Sequence, residues 1–265
     1  MRIGIVGCGG RMGRMLCAQV LDTTGATLSG GAERLGSALV GQDIGALLGR
    51  DPIGLKVGED AKALFDASDA IIDFTSPAST AAHATLAAAC GAALIVGTTG
   101  LSEHEQAEVK AASGKTAIVQ APNMSAGVNL LFALTEQLAR ALDPDYDIEI
   151  VEMHHRHKVD APSGTALGLG RAAAKGRGVS LDAVADKVRD GHTGARKRGD
   201  IGFATLRGGD VVGDHTVIFA AEGERIELTH KASSRVIFAR GAVRAALWSQ
   251  GKPPGLYTMF DVLGL

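Results

Sequence analysis

Residues 3–13 read IGIVGCGGRMG, an apolar run that breaks into four glycines within seven positions. The helical spacing of Met12, Met15, Leu16 and Val20 follows at once. A strand, a bare turn and a helix in that order place free backbone N–H groups at a helix N-terminus, where an anion is favoured. The dinucleotide pattern Gly-x-Gly-x-x-Gly counted from Gly7 would put its third glycine at position 12; it falls one place later, so the spacing that holds is Gly7, Gly10, Gly13. Gly7 ends the strand, Gly10 opens the backbone and Gly13 lets the helix lie close to the sheet. Arg11 adds a positive charge at the same edge. The position of the motif predicts a phosphate-binding turn rather than an ordinary glycine turn.

The first half of the chain alternates strand-like and helix-like segments. AIIDFT (70–75), ALIVGTTG (93–100) and TAIVQAPN (116–123) are buried strands running into loops. Between them, Ser76 and Pro77 open one helix, and Ser102 with Glu105 has capping-box spacing for another. Such alternation implies a parallel sheet covered on both faces. Beyond about residue 124 the texture changes to a long amphipathic helix (125–142), a strand-like run from 146, a helix capped by Ser163 and three β-rich runs at 201–209, 211–221 and 224–232. A closing helix follows over 233–250. The expectation is an α/β protein: a Rossmann-type parallel-sheet domain over 1–124, completed by 235–265, and an α+β domain with an antiparallel or mixed sheet over 125–234.

Composition narrows the function classes. The 265 residues carry a formal charge of −2, which argues against a nucleic-acid partner. No apolar run approaches the roughly 18 residues of a membrane span. The first residues enter a strand-like segment rather than a signal-peptide layout, and the three cysteines are odd in number and scattered. A cytoplasmic protein with reduced thiols is expected.

Glu33 lies twenty residues beyond Gly13 and is placed to accept hydrogen bonds from an adenosine ribose, whereas its neighbour Arg34 suits the 2′-phosphate of NADPH; the pair points to both NADH and NADPH. Loops after parallel strands border the ligand crevice, which brings in Gly97, Thr98 and Thr99, and Ala121, Pro122, Asn123 and Met124. The threonines are candidates for the nicotinamide ribose and Asn123 for its carboxamide.

A second constellation is EMHHRHKVDAPSGTA (152–166). On a strand, His154, Arg156 and Lys158 share a face; on a helix, His154 and Lys158 align four apart. An imidazole relays protons near neutral pH and a lysine donates a proton or holds a carboxylate. Ser163-Gly164-Thr165 begins a helix whose amides form a carboxylate cradle. These groups describe a site for a small carboxylic acid. A metal site on His155 and His157 lacks a completing ligand, an RNA patch lacks aromatics, and a solvated polar strand is the remaining plain reading.

GCGGRMG (7–13), GTTG (97–100), APNMSAGVN (121–129), HHRHKVDAPSGTA (154–166), GDIGFATLRGGDVVGDHTV (199–217) and ELTHKASSR (227–235) together resemble the dihydrodipicolinate reductase family over nearly the whole chain. The resemblance implies NAD(P)H-dependent reduction of 4-hydroxy-tetrahydrodipicolinate to tetrahydrodipicolinate, in diaminopimelate and lysine formation. It implies a homotetramer built through the sheets of the second domain, which also binds the cyclic dicarboxylate, and no metal. It places acid/base roles on His154 and Lys158, substrate contacts on His155, Gly164 and Thr165, and the cofactor loop on Gly7, Cys8, Gly9, Gly10, Arg11 and Met12. The ribose acid falls on Glu33, the phosphate-side arginine on Arg34, and the nicotinamide loops on 97–99 and 121–124. For the reaction to run, the glycine turn and the histidine–lysine pair must serve one cleft. The competing classes are a nucleotide-sensing regulator without chemistry and a reductase of another small dicarboxylate. The basic segment GARKRGD (194–200) receives no role from this reading.

Overall fold

The computed structural model describes residues 1–265 as two compact units, Met1–Ser125 with Val236–Gly264, and Ala126–Arg235. In the first, β1 (Arg2–Val6), α1 (Arg11–Leu21), β2 (Thr27–Ala32), α2 (Ile44–Leu47), β3 (Val57–Gly58), α3 (Ala61–Asp66), β4 (Ala70–Asp73), α4 (Pro77–Cys90), β5 (Ala93–Val96), α5 (Glu103–Ser113) and β6 (Ala117–Gln120) follow one another. The second unit holds α6 (Ala126–Ala141), β7 (Asp147–His154), α7 (Gly164–Gly176), α8 (Leu181–Val184), β8 (Ala185–Asp186), β9 (Ile201–Arg207), β10 (Gly213–Ala221) and β11 (Glu224–Ala232). The chain then returns to the first unit with α9 (Val236–Trp248), β12 (Gly255–Tyr257) and α10 (Met259–Leu263).

The first sheet is parallel throughout, in the order β12-β6-β5-β4-β1-β2-β3. Its central strands are apolar on both faces because helices cover both. Successive residues enter opposite cores: Ile72, Ile95 and Val119 pack with Leu16, Val20 and Val243, while Ile71, Leu94 and Ile118 pack with Phe65, Ala84 and Val109. Local start signals act as their chemistry requires. Ser102 accepts from the Glu105 N–H while the Glu105 carboxylate reaches back to the Ser102 N–H, closing a capping box. Pro77 occupies the first turn of α4.

The second sheet is mixed, in the order β11-β10-β7-β9-β8. β10 runs antiparallel to both β7 and β11, while β9 is parallel to β7. One face of β7 buries Ile148, Ile150, Glu152 and His154. The other face carries Val151 and Met153, joined by Leu206, which is 50% exposed. The strand does not continue past His154, so Arg156 and Lys158 share no strand face with it, and no helix forms there either. The reason is local: β9 ends beside it at Arg207, and the Lys158 N–H turns back onto the His155 carbonyl (3.1 Å).

The basic segment has a structural account. Arg196 donates to Asp147 (2.7 Å), Glu149 (2.8 Å) and the carbonyls of Ile148 and Asp200, while Arg189 pairs with Glu149 and Asp186. The loop is charge-matched to the acidic residues at the start of β7 and clamped there. No helix is long and apolar enough to cross a membrane.

Candidate functional site

In the first unit the glycine turn is held by its own backbone. The Gly7 N–H donates to the Ala32 carbonyl (2.8 Å) and the Gly10 N–H to the Gly7 carbonyl (3.1 Å). A Cβ on Gly13 would collide with the Gly7 carbonyl oxygen and stand 2.7 Å from the Cys8 Cα, so only glycine brings α1 this close to the turn. The Gly9 N–H donates to Glu33 Oε1 at 2.8 Å, which fixes the carboxylate at the tip of β2. A cavity of about 620 Å³ opens here, within the range of small-molecule sites. Its walls include Gly7, Gly9, Gly10, Glu33, Arg34 and His83. Arg11, exposed at the first residue of α1, and Met12, packed on the core, are not among them. The Cys8 side chain is buried, and burial with the nearby Glu33 charge pushes its thiol up to about 11. Cys8 therefore offers the turn backbone and no reactive sulfur.

Thr98, Thr99, Ala121 and Pro122 come together around a second cavity of about 360 Å³ in this unit. Gly97 lies against the Phe74 ring. Asn123 Oδ1 accepts from the Ser125 N–H (2.9 Å), and Met124 is fully buried, its carbonyl packed against Gly241. Sequence reasoning missed Asp73, buried at the end of β4. Its Oδ1 accepts from the Thr75 N–H (2.8 Å) and hydroxyl (2.6 Å) and, at 3.4 Å, from the Thr98 hydroxyl; its Oδ2 lies 2.8 Å from His83 Nδ1. Burial pushes this carboxyl up, but His83 and Thr75 outweigh it and hold it below the usual range. Asp73 thus ties together two loops that flank the cavities. A charged residue closing an otherwise apolar strand was the available signal.

The glycine turn fits a dinucleotide: it is backbone at the N-terminus of an eleven-residue helix, beside a carboxylate and a guanidinium. No group of three His, Cys, Asp or Glu side chains is arranged to hold a metal ion.

In the second unit His154 ends β7, and its Nδ1 lies 2.6 Å from Glu152 Oε2. Parallel pairing sets His154 beside Arg207, and antiparallel pairing sets Glu152 opposite His215. Burial lowers the His154 pKa, with Glu152 opposing and Lys158 and Arg207 adding to the fall, so Lys158's charge is felt at the imidazole. Lys158 Nζ pairs with Asp160 at 2.8 Å. The His154 and His215 rings meet edge-on with centroids 5.0 Å apart, and His215 Nε2 lies 3.1 Å from Ser163 Oγ. A Cβ on Gly213 would stand 2.9 Å from His154 Nε2, so the glycine keeps that ring edge clear.

Ser163 caps α7 by accepting from the Ala166 N–H (3.1 Å). Gly164 follows, exposed and with open space where a side chain would be, and Thr165 stands next to it. His155 meets Arg235 at 3.3 Å through Nε2, while its Nδ1 is buried without a hydrogen-bond partner. The His155 and His157 rings are 6.3 Å apart. The structure thus brings His154, Lys158, Ser163 and the α7 N-terminus into one network, through Glu152, Arg207 and Asp160, which sequence reasoning did not single out.

Comparison with known proteins gives the family. A model described as dihydrodipicolinate reductase, N-terminus, matches residues 1–124, and one described as dihydrodipicolinate reductase, C-terminus, matches 127–263. A protein of Dinoroseobacter shibae named 4-hydroxy-tetrahydrodipicolinate reductase is 59% identical over 99% of this chain and 98% of its own length. One of Ruegeria sp. strain TM1040 with the same name is 57% identical with the same coverage. Among solved structures, dipicolinate-bound dihydrodipicolinate reductase from Paenisporosarcina sp. TG-14 matches 98% of both chains with a TM-score of 0.77 at 22% identity, a likeness of fold. With two family models covering both units and relatives above half identity along its length, the chain belongs to the dihydrodipicolinate reductase family.

Proposed function

We propose that His154 and Lys158 provide the proton, and the N-terminus of α7 the carboxylate cradle, for the reaction of this family. That reaction is the NAD(P)H-dependent reduction of 4-hydroxy-tetrahydrodipicolinate to tetrahydrodipicolinate. Loss of the 4-hydroxyl as water leaves a conjugated cyclic imine-like diacid, which gains one hydride and one proton. The bound nicotinamide supplies the hydride. The chain's own residues do the rest. The amides of Gly164 and Thr165 receive one carboxylate at a thirteen-residue helix N-terminus. His155, whose Nε2 lies beside Arg235, and the cationic Lys158 meet the other. Lys158 or His154 then delivers the proton as negative charge develops on the ring. The observation that supports this reading is the joining of His154 to the Ser163 cap through a single buried carboxylate.

For the cofactor, the backbone of Gly7, Cys8, Gly9 and Gly10 with the start of α1 at Arg11 and Met12 takes the phosphates. Glu33 takes the adenosine ribose, and Arg34 the 2′-phosphate when present. Residues 97–99 and 121–124 take the nicotinamide end. The first unit is the dinucleotide-binding domain; the second binds substrate and carries the oligomer contact. Its half-exposed sheet face of Val151, Met153 and Leu206 supports a homotetramer. The enzyme works in the cytoplasm, without nucleic-acid or membrane partners.

The test is oxidation of NADPH and of NADH, followed at the nicotinamide absorbance band, with enzymatically generated substrate. Both are expected to be consumed. A nucleotide-sensing regulator would bind them and consume neither, and a substrate panel excludes another dicarboxylate. Sedimentation velocity checks the tetramer.

A further inference from the structure

The Glu152 carboxylate is 1% exposed, and both its oxygens are fully engaged. Oε2 accepts from His154 Nδ1 (2.6 Å) and Arg207 Nη1 (2.7 Å). Oε1 accepts from Arg207 Nη2 (3.0 Å) and from the backbone N–H of Ser163 (2.9 Å). These contacts use about all the four lone-pair positions an ionised carboxylate has. Arg207 Nη2 donates once more, to the Asp160 carbonyl (2.6 Å), and the Asp160 carboxylate holds Lys158 Nζ. The imidazole, the turn bearing the ammonium and the capped start of α7 therefore all hang on one Glu–Arg pair.

We propose that Glu152 is a positioning residue for the reduction: with Arg207 as its bidentate partner, it holds His154 in the Nδ1–H form. It presents Nε2 to the substrate and at the same time sets the Ser163 end of the carboxylate cradle. This rests on the reading of His154 as a proton-delivering group.

The physical reason lies in what a carboxylate cannot do. Ionised, it only accepts, so the nitrogen facing it must carry hydrogen. Nε2 is then the nitrogen that takes up a proton from solvent, giving the imidazolium, and hands it to the substrate, which returns the ring to the Nδ1–H form. Burial opposes the charge, but Arg207, His154 and the Ser163 N–H keep the carboxyl below its usual range. Glutamine fits the same space but carries both a donor and an acceptor, so it can satisfy either imidazole tautomer. It also leaves Arg207 without its counter-charge. The Nε2 edge lies beside Gly213, where a side chain would stand 2.9 Å from the nitrogen. Folding alone does not require such a pair, since well-packed apolar residues can replace buried ion pairs without loss of stability.

The experiment compares E152Q, H154Q and the double variant, each as the full chain. E152Q is expected to lower kcat on the order of 10²-fold and to raise the inhibition constant of dipicolinate several-fold. The NADPH dissociation constant should stay within about twofold, because the glycine turn belongs to the other unit. In kcat the double variant should lose no more than H154Q, since Glu152 acts on proton delivery through His154. The dipicolinate inhibition constant should rise in the double variant as in E152Q, because the Ser163 contact does not pass through His154. With histidines ¹⁵N-labelled, His154 should be the Nδ1–H tautomer in the parent and a mixture in E152Q. A kcat within threefold of the parent, or a tautomer unchanged by E152Q, overturns the proposal. So does a fall in thermal stability with full turnover per folded molecule, which would make Glu152 structural. If E152Q does not fold, the parent spectrum decides, because an Nε2–H tautomer there is incompatible with the assignment. Full turnover in H154Q would instead sink the proton-delivery reading, and is recognisable as such because E152Q would still shift the tautomer.

Discussion

Around Gly7 to Gly13 the chain has removed side chains until backbone N–H groups and a helix end are what a ligand meets. Around His154 it has done the reverse, burying Glu152, His154, Ser163 and His215 and wiring them to one another. The first region suits a large anion that needs room and partial positive charge. The second suits a proton whose path depends on which atom of an imidazole carries hydrogen. In the bare region each position contributes steric clearance; in the wired region each group depends on its neighbours. Substitutions in the two should therefore fail differently.

The largest effect is expected at His154. His154→Ala should lower turnover about 10²- to 10³-fold with cofactor affinity within twofold, measured by steady-state kinetics and fluorescence titration of NADPH. An equal loss of both would erase the distinction between the regions. Gly13→Val makes the opposite test: the added carbon strikes the Gly7 carbonyl. Cofactor affinity should fall at least about tenfold, with about 1–3 kcal/mol of stability lost to overpacking. Turnover at saturating cofactor should stay near the parent value.

Arg34→Ala sharpens the picture within the first region. Loss of a charge-assisted contact is worth about tenfold, so the NADPH dissociation constant should rise by that factor while NADH moves less than twofold. Equal weakening of both would remove Arg34 from the 2′-phosphate.

The smallest effect concerns His215, whose burial pushes its pKa down to about 4, from an ordinary value of 6.5. Between these values the unfolded chain takes up a proton that the folded chain refuses. Stability should therefore be full above about pH 6.5 and decline as pH falls toward 4, by at most about 3 kcal/mol from this group. His215→Asn should flatten that part of a melting-temperature profile. An unchanged slope would assign the acid sensitivity elsewhere.

The same contrast explains what could be read in advance. The glycine turn, the Ser102 capping box and the Ser163 cap were legible because each depends on residues within a few positions of one another. His154 and Lys158 were found as residue types, yet the expected strand or helix alignment between them was wrong, because β7 ends at His154 and a turn carries Lys158. Glu152, Arg207 and His215 are joined only by strand register, with Arg207 55 residues beyond its carboxylate partner. One sequence does not state which strands pair. The trace it did leave is a glutamate at a position where Ile148 and Ile150 share the buried face. The basic segment near 194–200 was opaque for the same reason, since its acidic partners precede it by about fifty residues.

The division of labour itself is tested most directly by Lys158→Ala, with turnover on the generated substrate and the NADPH dissociation constant measured on one preparation. Turnover is expected to fall by at least about 10²-fold with cofactor affinity held within twofold. Retained turnover, or a parallel collapse of both quantities, would contradict it.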